Sequence, residues 1–151
     1  MAHTLSDLMD NFISIAQSGA LLYSNLASQA DISLRVKTIA RIFAKEEERQ
    51  LLLYQRLKER ITDSVDMEVD FRLYSKAEKL INDLKTINNT DRIKDLKELL
   101  EFSLNFEREN LVLVLEIQNL SGTANSTLIS ILEEIASEER KHIANIEGYV
   151  K

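Results

Sequence analysis

Three pairs of polar residues stand where apolar ones are expected: Glu47 with Gln50, Glu107 with Asn110, and Glu139 with His142. In each pair the members are three residues apart, so on a helix both share one face. A buried carboxylate costs several kcal/mol unless it is paired, protonated or bound to metal. Glu side chains gathered around one His are what a hard or borderline metal ion would compensate. The other histidine, His3, falls in what reads as a frayed end, whereas His142 lies on a stripe. A bland alternative exists, because a small rotation would put Glu46-Glu47-Glu48 and Glu138-Glu139 on solvated faces. Three pairs in register on three stripes weigh against it.

The elements that must position these pairs are amphipathic helices. One stripe is Leu5, Leu8, Phe12, Ala16, Gly19, Tyr23 and Leu26, predicting a helix over 5–28. After Ser28-Gln29-Ala30-Asp31, Ser33 is placed to cap a helix over 34–61, with Val36, Ile39, Phe43, Glu47, Gln50, Tyr54 and Leu57 in line. Thr62-Asp63-Ser64 breaks the pattern. A shorter helix over 70–86 carries Phe71, Tyr74, Ala77, Leu80 or Ile81, and Leu84, and Asn88-Asn89-Thr90-Asp91 forms a turn. A helix over 92–120 aligns Leu96, Leu100, Ser103, Glu107, Asn110, Val114 and Ile117. After Ser121-Gly122-Thr123, a helix over 126–150 aligns Leu128, Leu132, Ile135, Glu139, His142, Ile146 and Val150.

Short links imply two antiparallel hairpins, and the 62–91 segment is long enough for a crossover containing the short helix. The expectation is one all-α domain over 1–151, an antiparallel four-helix bundle with ferritin-like connectivity. Zero Pro and three Gly in 151 residues agree with long uninterrupted helices. A net charge of −6 argues against binding a phosphate backbone, so no nucleic-acid partner is expected. The absence of cysteine excludes disulfides, thiolate metal sites and iron–sulfur clusters. No run approaches the length of a membrane span. The first residues, with Asp7 and Asp10, do not read as a secretory signal, so a cytoplasmic location is the expectation. Small Ala16 and Gly19 either bring the first helix close or leave a cavity facing the polar cluster. Leu52, Leu53, Val112 and Leu113 lie off the main stripes and are expected to be exposed.

The sequence resembles the rubrerythrin branch of the ferritin-like superfamily over about 5–147. The resemblance is carried by Leu100-Glu101-Phe102-Ser103-Leu104-Asn105-Phe106-Glu107-Arg108-Glu109-Asn110 and by Ile135-Ala136-Ser137-Glu138-Glu139-Arg140-Lys141-His142, with its Glu-x-x-His. The frame Ile42-Phe43-Ala44-Lys45-Glu46-Glu47-Glu48-Arg49-Gln50 has Gln50 where the family has His. Gln17-Ser18-Gly19-Ala20-Leu21-Leu22-Tyr23 keeps the Gly and Tyr landmarks, and Ala16 stands where the family has Glu.

The family's site takes a Glu from each of two helices and a Glu-x-x-His from each of the others. The resemblance therefore implies Glu47, Glu107, Glu139 and His142 as metal ligands, with Glu107 and His142 terminal and Glu47 and Glu139 former bridges. The two absent ligands serve the same metal position. One reading is a protein binding one ion, iron or else manganese or zinc, with at most weak redox activity. A second is a metal-free scaffold or interaction module. A third, an active di-iron peroxidase or ferroxidase using an external electron donor, suits the sequence less, because two-electron chemistry on an O–O bond needs both metals. The family also implies a homodimer.

Overall fold

The computed structural model describes residues 3–64, 68, 69, 71–88, 93–121 and 126–150. It is all-helical, apart from a two-residue pairing of β1 (His3–Thr4) with β2 (Glu68–Val69). The helices are α1 (Leu5–Ala27), α2 (Leu34–Ser64), α3 (Phe71–Asn88), α4 (Leu96–Ser121) and α5 (Ser126–Val150).

The starts of three helices have chemical causes. Thr4 accepts the Asp7 backbone N–H while Asp7 reaches back to the Thr4 N–H at 2.9 Å, a reciprocal cap at the head of α1. Ser33 accepts the Val36 N–H at 3.3 Å, as expected for α2. Asp95 accepts the Glu98 N–H at 2.8 Å, so α4 begins at Leu96 rather than at 92. Helix α2 runs to Ser64, three residues past the expected end at 61, so Thr62-Asp63-Ser64 forms its last turn rather than a break. Polar residues without Pro or Gly lower helix propensity only modestly.

Side-chain pairs give the relative directions. Between α1 and α2, Asp10 meets Lys58, Phe12 meets Tyr54, Gly19 faces Glu47 and Tyr23 meets Phe43. Rising numbers meet falling ones, so the helices are antiparallel. The same holds between α4 and α5, where Glu107 faces His142 and Asn110 donates to Glu139. It holds again between α2 and α5, through Phe43–Tyr149, Glu46–Asn145, Gln50–Glu139 and Arg60–Glu134. Tyr23 links α1 to α4 through Ser103 and Phe102. Helix α3 packs on α1 and on α4.

The stripes form the core. Leu5, Leu8, Phe12, Ala16, Val36, Ile39, Phe43, Tyr54, Leu57, Leu100, Val114, Leu132, Ile135 and Ile146 are all buried. Leu80 and Ile81 both face inward. Phe71 and Val150 depart from expectation: each is the end residue of its helix and is exposed. Leu113 also departs, being 4% exposed, and Leu53 is half-buried against the core, whereas Leu52 and Val112 are more than half exposed as expected. Leu84, Ile117 and Leu128 lie outside the described side chains. No helix among the described residues is long and apolar enough to cross a membrane.

Candidate metal centre

Helix α2 delivers Glu47, α4 delivers Glu107, and α5 delivers Glu139 and His142, all with relative exposures between 1% and 5%. The rotation that would have solvated these helices is absent: Glu48 is the exposed member of its run, while Glu47 and Glu139 point inward. One donor atom each from Glu47, Glu107 and His142 can be chosen so that all three lie within 4.8 Å of one another. His142 Nδ1 is 3.8 Å from Glu107 Oε2, too far for a hydrogen bond. The Glu107 carboxyl is in hydrogen-bonding contact with both Glu47 and Glu139. Glu139 thus joins the cluster through Glu107.

Burial decides the electrostatics. It is the largest cause raising Glu47, from 4.5 to about 8, with the charges of Glu139 and Glu46 adding to it. Burial first, then the neighbouring carboxylate, pushes Glu107 and Glu139 well above the usual range. No Lys or Arg forms an ion pair with these carboxylates among the described residues. Proton or metal is what the cluster can take up.

The two oxygens of Glu139 have opposed surroundings. Oε1 accepts the Tyr54 hydroxyl at 2.7 Å, Asn110 Nδ2 at 2.8 Å and a close Gln50 Nε2. Gln50 also donates to the Tyr54 oxygen at 2.9 Å. Oε2 is buried and accepts from no fixed donor; the contact between the Glu139 and Glu107 carboxyls becomes a hydrogen bond only when one of the two carries a proton. An unsatisfied buried carboxylate oxygen costs more than a neutral acceptor would.

A second buried pair flanks the cluster one turn away. Tyr23 and Ser103 share a 2.8 Å hydrogen bond. Burial, then the Glu107 and Glu47 charges, hold the Tyr23 phenol well above its usual range, so it stays protonated. Gly19 is the close approach on α1: a Cβ there would stand 3.3 Å from Glu47 Cγ, Cδ and Oε2. Between the two expectations for the small residues, helix approach is what is found at Gly19.

Metal–ligand bonds of about 2.0–2.2 Å, with donors about 90–120° apart at the ion, put those donors roughly 2.8–3.8 Å from one another. Glu47, Glu107 and His142, whose donor atoms lie within 4.8 Å of one another, would close in on an ion by side-chain movement on the order of 1 Å. Carboxylate oxygens with one imidazole, buried and short of positive charge, fit a divalent ion. Sequence reasoning found these residues but missed what Tyr54 does. It stood on the stripe as packing, although its place four residues after Gln50 puts both on one face.

Comparison with family models, with curated proteins and with solved structures finds no match for this chain.

Proposed function

We propose that this chain is a ferritin-like, rubrerythrin-type four-helix bundle that binds one divalent metal ion between Glu47, Glu107, Glu139 and His142. In this reading α1, α2, α4 and α5 are the bundle, and α3 lies in the long crossover. The observation that carries it is the buried triad of Glu47, Glu107 and His142, one donor atom of each lying within 4.8 Å of the others, with no Lys or Arg paired to the carboxylates among the described residues. Iron, manganese and zinc all suit a carboxylate-rich set with one nitrogen. A bound ferrous or manganous ion would supply one-electron redox or Lewis-acid chemistry. The chain's own residues hold the ion, exclude water and keep the Tyr23 and Tyr54 phenols protonated beside it. Exposed Leu52 and Val112 are apolar side chains that the homodimer implied by the resemblance would cover.

A metal-free scaffold is favoured by one observation, the chain of contacts Glu47–Glu107–Glu139. With protons shared along it the cluster closes without any ion. Titration of chelator-treated protein with Mn²⁺, Zn²⁺ and anaerobic Fe²⁺ separates the readings. One ion per chain at micromolar affinity or better is expected; no binding at saturation leaves the scaffold.

A further inference from the structure

We propose that Gln50, Tyr54 and Asn110 take the place of a second cation: they hold Glu139 Oε1 as an ion would, and leave Oε2 alone to serve the metal. This rests on the reading that the cluster binds an ion.

A carboxylate oxygen has two lone-pair directions. Three donors from two helices converge on Oε1, namely the Tyr54 hydroxyl, Asn110 Nδ2 and Gln50 Nε2. That oxygen is saturated. The other is buried and bare of fixed donors. A carboxylate bridging two ions would turn one oxygen to each; here neutral N–H and O–H groups occupy one of the two sides.

The donors also hold one another. Gln50 Nε2 gives a hydrogen bond to the Tyr54 oxygen at 2.9 Å, and Asn110 Nδ2 approaches the same oxygen at 3.4 Å. The Tyr54 ring packs on Phe12 at 5.5 Å between centroids. Tyr54, Gln50 and Asn110 are 0–2% exposed, so water has little access to compete for Oε1. A second ion on that side would have to break three hydrogen bonds and strand three buried donors, at a cost of about 1–3 kcal/mol for each stranded group.

Nuclearity is then set by hydrogen bonding as well as by which ligands are missing. Ala16 is buried on α1, and the register that pairs Phe12 with Tyr54 and Gly19 with Glu47 brings it level with Gln50. Supplying ligands there by Ala16→Glu and Gln50→His leaves the Tyr54 and Asn110 donors on Oε1. The double variant should therefore still bind one ion.

The test is Mn²⁺ binding, with stoichiometry from calorimetry and the number of coupled ions from electron paramagnetic resonance. Wild type and Ala16→Glu/Gln50→His are expected to bind one uncoupled ion. Adding Tyr54→Phe and Asn110→Leu to the double variant is expected to admit a second, magnetically coupled ion. Tyr54→Phe alone keeps the ring and one-ion stoichiometry but weakens Mn²⁺ binding on the order of tenfold, because Oε1 is less firmly held. Far-ultraviolet circular dichroism checks that each variant is helical. If the fourfold variant does not fold, the single Tyr54→Phe affinity decides. Two ions of matching affinity in Ala16→Glu/Gln50→His, one ion in a folded fourfold variant, or unchanged affinity in Tyr54→Phe would each overturn the inference. No Mn²⁺ binding by wild type would instead remove the metal reading on which it stands.

Discussion

A methyl group at position 19 would stand 3.3 Å from the Glu47 carboxyl carbon, so the α1 backbone sets how far that carboxylate can withdraw from the cluster.

Gly19→Ala separates folding from binding at this contact. Replacing a helical Gly by Ala contributes about 1 kcal/mol of stability. The 3.3 Å approach requires Glu47 to yield by a few tenths of an ångström. A flexible side chain can yield in the metal-free protein but not while holding an ion. Thermal melts should show metal-free Gly19→Ala at least as stable as wild type, and calorimetry should show several-fold weaker binding. Unchanged affinity would remove Gly19 from the account of the site.

His142→Ala deletes the one nitrogen donor of the triad. Binding should weaken by about a hundredfold or more, since three carboxylates and no imidazole suit transition ions poorly. Glu48→Gln, on the exposed side of α2, should bind as wild type does. Competition with a chromophoric chelator measures both.

The metal-free protein should lose stability as pH rises. Burial raises Glu47 to about 8 and lifts Glu107 and Glu139 in the same direction, so the folded state keeps protons that the unfolded chain has released. For carboxyls raised in this sense, the stabilisation is complete below the unfolded value of about 4.3 and is lost as pH climbs through the folded value. The midpoint of thermal unfolding in chelator should fall between pH 5 and pH 8. A bound ion replaces the protons, so loaded protein should show a flat or rising trend. A metal-free midpoint that rises over this window would contradict the buried, uncompensated cluster.

Ser103→Ala strands the buried Tyr23 hydroxyl and should cost about 1–3 kcal/mol. Tyr23→Phe in the same background removes the stranded group and should return most of that loss. Chemical denaturation of the two single variants and the double closes the cycle.

Helix number, order and most boundaries were legible because each stripe repeats at three- and four-residue steps, and the inward turn of Glu47, Glu107, Glu139 and His142 followed from the same spacing. Helix ends were less legible: Asp95 caps α4 through one side-chain contact that periodicity does not register. Tyr54 was read as core because a phenol on an apolar stripe looks the same whether or not its hydroxyl has a partner. Its partner, Glu139, is 85 residues away on another helix. The Tyr23–Ser103 bond, 80 residues apart, was hidden for the same reason. Packing partners across helices are fixed by register, which one sequence specifies only through the whole fold.

Glu47 comes from α2, whereas Glu107, Glu139 and His142 all come from the later pair, α4 and α5. An ion held by all of them is therefore a detachable cross-link between two helical hairpins. Unlike a disulfide, such an ion would be released when the chain unfolds, so it would stabilise the fold through its binding free energy, about 2.7 kcal/mol at a free concentration a hundred times its dissociation constant. Chelation would then free the hairpins to part, and resistance to proteolysis would follow the concentration of ion around the protein.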